Sequence, residues 1–220
     1  MTTPMAGQRP SGEDETRQPA MDVLVRRWVV HVLKSHLPLL TIAVRQRAKM
    51  EGWLKFELAQ KIEREGFGPV SVEAGYGEKP ASSRSDLSFF AGGDHYDIEL
   101  KTPNTNFRIP GVDPKHRPIT KNISGIIEDA RKLAFATDHG IVCFVLFPVP
   151  VGDERWTVYL NRIAADLMMN LKASSHCSRV VVPLCNELSC QVIVCAFTVP
   201  SPVMIPRSTG TIPTSLEERG

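Results

Sequence analysis

Paired cysteines are missing from this sequence. Its five cysteines, at 143, 177, 185, 190 and 195, form no CxxC pair and share no zinc-like spacing with histidines. An odd count without a framework excludes a disulfide-stapled scaffold. Four of the five lie in or beside apolar runs, where a free thiol behaves as a small buried hydrophobe. No uninterrupted apolar run approaches the ~20 residues that span a bilayer, so no membrane partner is expected. Residues 1–20 hold no apolar stretch of the kind a secretory signal carries, and a reducing, cytoplasmic setting is the expectation. An excess of one charge is also absent. The 26 Lys and Arg face 24 Asp and Glu, a net charge of +2, so any affinity for nucleic acid must come from local clusters.

What is present suits one globular core. The chain has 220 residues, 42% of them hydrophobic and 23% charged, enough for one substantial domain and too few for two. Residues 1–20 read as a disordered polar tail and residues 200–220 as a flexible one, leaving a single domain over 21–199. Helical spacing of Val23, Leu24, Trp28, Val29, Val32 and Leu33 predicts a helix over Met21 to Leu39, and a second is expected from about Thr41 to Glu65, closed by "EGFGP". The period then becomes two. "VSVEAGYG", "SDLSFFAG" and "YDIELKT" predict three short strands, the last two joined through a glycine turn. "NISGIIEDARKLAFAT" is amphipathic and predicts a helix, and "GIVCFVLFPVP" has the length and composition of a strand covered on both faces. A helix near Asn161 to Lys172 and strands at "RVVVPL" and "CQVIVCAF" follow. The fold class expected is α/β, a mixed central β-sheet flanked by helices.

The segment "SRSDLSFFAGGDHYDIELK" concentrates charge on strand faces. With side chains alternating, Asp97, Glu99 and Lys101 share one face of the second strand, while Ile98 and Leu100 share the other. Pairing as a hairpin brings Asp86 opposite Glu99. Two carboxylates so close repel unless a cation lies between them, and carboxylate, main-chain carbonyl and water oxygens make a site for Mg²⁺ or Mn²⁺. Lys101 points at the same spot as a fixed positive charge.

These residues and their order resemble the PD-(D/E)XK nuclease superfamily, with its restriction-endonuclease-like core of helix, three antiparallel strands, helix and further strand. The resemblance covers roughly Glu51 to Pro148. Asp86 matches the first aspartate of the motif, Glu99 its second acid, Leu100 the variable residue and Lys101 the lysine; the motif's proline is Ser85 here. Glu57 in "FELAQKIEREGFG" matches the helical glutamate that the family often adds. The resemblance implies hydrolysis of phosphodiester bonds, with DNA as the substrate. Asp86, Glu99, the Leu100 carbonyl and Glu57 would hold Mg²⁺ or Mn²⁺, and Lys101 would orient or deprotonate the attacking water.

Phosphate contacts are expected from Arg84, Arg108, Lys115, Arg117 and Lys121, with Arg26, Arg27, Arg45, Arg47 and Lys49 as further cations on the first helices. His95 and His116 read as surface residues. A homodimer is compatible with the chain. Two other readings stand beside the enzyme: a non-catalytic nucleic-acid-binding module on the same fold, and a protein-interaction domain whose "ELK" strand is an ordinary charged face.

Overall fold

The computed structural model of the chain describes residues 19–73, 75, 84–114, 118–185 and 187–200. Both expected tails fall almost entirely outside the described residues. Six strands form one mixed sheet in the order β1-β2-β3-β4-β6-β5. They are β1 (Ser71–Val72), β2 (Leu87–Ala91), β3 (Asp94–Lys101), β4 (Gly140–Pro150), β5 (Cys177–Pro183) and β6 (Ser189–Val199). Only β3 and β4 pair in parallel; the other neighbours are antiparallel. Helices α1 (Met21–Ser35), α2 (Leu37–Arg45) and α3 (Glu51–Arg64) precede the sheet in the chain. Helix α4 (Ile119–Ala136) makes the crossover from β3 to β4, and α5 (Thr157–Asp166) and the single turn α6 (Ala173–His176) lead into β5. The chain is therefore α/β.

The strand period builds two cores. Along β4, Ile141, Cys143, Val145 and Phe147 face α1, α2 and α3, while Val142, Phe144 and Leu146 face α4 and α5. Every residue of β4 from Gly140 to Val149 is buried, as its unbroken apolar run predicts. Each large side chain removed from water contributes about 1.5–3 kcal/mol, so the paired layers account for most of the driving force. On α4 the buried residues Ile123, Ile126, Ile127, Ala130 and Leu133 form the stripe read from the sequence.

The β2–β3 hairpin turns on Gly92 and Gly93, at φ 61 and 96°. Two consecutive left-handed residues suit a tight hairpin turn that only glycine adopts without strain. Ala91 and Asp94 close it, and the register continues through Phe90↔His95, Phe89↔Tyr96, Ser88↔Asp97 and Leu87↔Ile98.

Four expectations are corrected. The helix predicted over Thr41 to Glu65 is two helices, α2 and α3, separated at residues 46–50. Arg47 breaks it in the left-handed region, at φ 49°. That conformation costs about 1–3 kcal/mol. It is offset because the buried guanidinium donates to the carbonyls of Asp113, Thr105 and Phe107 at 2.7, 2.7 and 2.6 Å. The expected Met21 to Leu39 helix likewise divides at His36, where Pro38 begins α2 within its first turn. The helix expected near Asn161 to Lys172 is α5, which begins earlier, at Thr157, and ends at Asp166. In "VSVEAGYG" only Ser71 and Val72 form strand, with an isolated Gly75↔Arg84 bridge beyond; Ala74, Tyr76 and Gly77 lie outside the described residues.

Replacing Arg47 tests how far the segment between β3 and α4 depends on it. Arg47→Ala is expected to lower unfolding free energy by about 2–4 kcal/mol in urea titrations, since charge-assisted hydrogen bonds are lost and buried carbonyls are left to find water. Arg47→Lys should recover little, because one ammonium cannot reproduce a planar fork.

Candidate active site

The charged face of β3 turns toward α4, because Ile98 and Leu100 belong to the core under α3 and their neighbours therefore point the other way. The register 87↔98 places Asp86 next in line opposite Glu99, just beyond the end of β2. Asp86 Oδ2 accepts the Leu100 N–H at 2.8 Å, and Asp86 Oδ1 meets Lys55 Nζ at 2.8 Å. Lys55 also reaches Glu73 Oε1 at 3.2 Å. On a strand, one residue's N–H and C=O leave on the same side, so the Leu100 carbonyl shares the Asp86 side of β3.

Lys101 sits between acids. Its Nζ lies 3.0 Å from Asp129 Oδ2 and 3.8 Å from Glu99 Oε2. Burial alone would lower its pKa. The hydrogen bond and charge of Asp129, with the charges of Glu51 and Asp86, outweigh it and raise the pKa above the usual lysine value. Lys101 is thus a fixed cation at neutral pH. Lys55 is likewise raised, its burial outweighed by Asp86 and Glu73. Glu51 shows the opposite strain. Burial raises its pKa, and Asp86 adds to the rise, against lowering by Lys101, the Thr102 N–H and Lys49.

The structure gathers Asp86, Glu99, Leu100 and Lys101 as the sequence predicts, but it does not bring Glu57 to them. Glu57 instead pairs with His36 at 3.1 Å, toward the junction of α1 and α2, and Lys61 pairs with Glu65. Helix geometry explains this. At 100° per residue, Glu51, Lys55, Leu58 and Ile62 fall within a wedge of about 60°, and Glu57 lies about 130° from its centre. Leu58 and Ile62 are buried in the core, so the same wedge carries Glu51 and Lys55 to the sheet. Those two residues, with Glu73 and Asp129, are the members that sequence reasoning missed. A signal existed: Asp129 is three residues after Ile126 and four before Leu133, on the edge of the buried stripe.

Of the predicted phosphate contacts, Arg84, Arg108 and Lys121 are exposed, and Lys115 and Arg117 lie outside the described residues. Lys121 lines a groove of about 250 Å³ with Lys49, Glu51, Lys101 and Thr102, so two further cations flank the cluster. Arg47 is corrected: its guanidinium is spent on carbonyls. Arg26 donates to the Ser175 carbonyl. Asp97, on the same strand face as Glu99, is buried and lies 3.5 Å from His95. His95 itself is exposed, as expected, and His116 lies outside the described residues.

The donor set around Asp86 and Glu99 fits a hard divalent ion in kind, being all oxygen, and the raised pKa of Glu51 beside it comes first from burial, with the Asp86 charge adding to it. Lys55 is at present the countercharge of Asp86. Among the described residues no three His, Cys, Asp or Glu side chains are gathered into a ready-made metal cluster. No helix of the described residues is long and apolar enough to cross a membrane. No family model, curated protein or solved structure matches the chain.

The Glu51 environment sets a pH test. In the unfolded chain its carboxyl ionises in the ordinary range; in the fold it keeps its proton to higher pH, so stability from this group is lost as pH rises through the folded value. Glu51→Gln should therefore raise the thermal midpoint at neutral pH, with the gain vanishing below the ordinary glutamate pKa. Midpoints across a pH series, wild type against variant, check this.

Proposed function

We propose that the chain is a metal-dependent nuclease that hydrolyses phosphodiester bonds on a restriction-endonuclease-like core. The observation that carries the reading is the cluster at the ends of β2 and β3, where Asp86 and Glu99 stand opposite one another and Lys101 is held charged beside them by Asp129. The resemblance of Asp86, Glu99 and Lys101 to the PD-(D/E)XK motif points to DNA as substrate. The helical acid at the cluster is Glu51 in place of Glu57. Asp86, Glu99 and the Leu100 carbonyl would hold Mg²⁺ or Mn²⁺, with Glu51 beside them. When bound, the ion supplies Lewis acidity toward the scissile phosphate. Lys101 orients the attacking water and offsets charge developing on the phosphoryl oxygens, a role that its raised pKa favours over proton abstraction. Asp129 fixes the Lys101 ammonium in place. Lys49 and Lys121, at the mouth of the groove, meet the flanking phosphates.

One observation favours a second reading. The Lys55 ammonium already neutralises Asp86. A chain in which that pair never opens would bind nucleic acid through Lys49, Lys121 and Arg108 without cutting it. Plasmid nicking decides between the two. Nicking in Mg²⁺ or Mn²⁺ that stops in excess EDTA supports the nuclease, and binding with no nicking in either ion supports the second reading.

Two comparisons of variants locate the chemistry. Lys101→Ala is expected to lower the single-turnover rate by about 10²- to 10³-fold, the cost of one preorganised charge acting on the transition state. Glu99→Gln should abolish cleavage with the circular dichroism spectrum retained, whereas Asp97→Asn lowers it modestly. Glu51→Gln should reduce the rate more than Glu57→Gln; the reverse order would restore the helical glutamate suggested by the motif.

A further inference from the structure

The charged face of the hairpin does not end at the cluster. Two paired cross-strand rows follow on it, Ser88 opposite Asp97 and Phe90 opposite His95, in line with Asp86 and Glu99, which lie one step beyond the last pair, Leu87↔Ile98. Successive rows are two residues apart, about 6.6 Å along the strand. The two paired rows lie in a groove of about 690 Å³, walled on its far side by Thr137, Asp138 and His139 after the end of α4.

The chemistry of this groove differs from that of the cluster. Among the described residues that line it there is no lysine or arginine and there are three aspartates, Asp94, Asp97 and Asp138, so the described wall is no cradle for phosphate. It offers aromatic surface instead. Phe90 is 44% exposed, with its ring centroid 4.9 Å from that of His95. It also offers an acceptor. Asp97 is 3% exposed, and His95 Nδ1 lies 3.5 Å from its Oδ2. An ionised carboxylate accepts and never donates, so what it recognises must carry an N–H edge. A planar ring with an amino group meets both demands. It would stack on Phe90 beside His95 and donate to Asp97.

We propose that this groove is a base-binding subsite for single-stranded nucleic acid, taking the base one nucleotide from the scissile phosphate and preferring bases with an exocyclic amine on their pairing edge. The assignment rests on the nuclease reading of the neighbouring row. Cytosine presents an N4 amino group where thymine presents the O4 carbonyl, whose lone pairs face those of the carboxylate. Stacking on Phe90 gives affinity to either; Asp97 gives the choice.

Equilibrium binding to fluorescein-labelled oligo(dC) and oligo(dT) of equal length, read by anisotropy at neutral pH in EDTA, tests this without turnover. The full chain should bind oligo(dC) about 5- to 100-fold more tightly than oligo(dT), the discrimination of one well-made base contact. Phe90→Ala, at an exposed position that the core does not need, should weaken both by about 5- to 100-fold. Asp97→Asn should erase the preference, because its amide offers the O4 carbonyl a donor. Equal affinities for the two oligonucleotides in the wild type, no binding to either, or a Phe90→Ala variant with unaltered affinities would each overturn the subsite. A protein that prefers oligo(dC) but cuts nothing in Mg²⁺ or Mn²⁺ supports the subsite and removes the nuclease reading. One that cuts, yet binds both oligonucleotides alike, keeps the nuclease and loses the subsite.

Discussion

The carboxylate of Asp86 is the contact on which the arrangement depends. One oxygen accepts from the Leu100 N–H on β3, the other meets Lys55 on α3, and the residue's own carbonyl accepts from the Glu73 N–H at 3.1 Å. A largely buried charge tolerates neither loss of its partner nor water in its place, so α3 is tied in both rotation and height to the end of the hairpin. Glu51, one turn earlier on the same wedge of α3, is placed by that tie. The core beneath, with Leu54, Leu58 and Ile62 against Leu87, Ile98 and Leu100, supplies adhesion but little directional information. The ion pair supplies the direction.

Around that point acids and bases nearly cancel. Glu51, Asp86, Glu99 and Asp129 face Lys49, Lys55 and Lys101, yet Glu51 remains reluctant to ionise. A scaffold selected for stability alone would have an uncharged side chain there. Glu73 on Lys55 and Lys132 on Asp129, at 3.2 and 3.1 Å, extend the network, and Lys101 between the acids keeps its proton. Lys55 is the internal counterion of Asp86 in this arrangement.

How much of this the sequence discloses follows from which periodicity carries it. The β2–β3 hairpin, its glycine turn and the opposition of Asp86 to Glu99 are local, set by alternation over a few residues, and they are legible directly. The amphipathic stripe of α4 and the doubly buried β4 are legible for the same reason. The helix that contributes to the cluster is legible as a helix, but its rotation is not: Glu51 and Glu57 sit in one segment, and only the packing of Leu58 and Ile62 decides which faces the sheet. The break at Arg47 is hidden too. Its left-handed backbone is stabilised by carbonyls of Thr105, Phe107 and Asp113, more than fifty positions away, which no local pattern announces. Asp129 reaches Lys101 only through the crossover: local spacing sets it at the edge of the α4 stripe but does not name a partner 28 residues distant.

The Arg47 fork also limits how the chain can change in length. Between β3 and α4 the backbone is held at Pro103 and Thr105 against Phe147, then at Thr105, Phe107 and Asp113 by one guanidinium. Between those ties Ile109 packs against the core, the Val112 N–H donates to the Ile109 carbonyl at 3.1 Å, and Gly111, at φ 80°, lies close to Cys185. Residues added or deleted between Thr102 and Phe107 would pull Thr102 and Pro103 out of the wall beside Lys101. One guanidinium thus couples the length of this connection to the position of the charged end of β3.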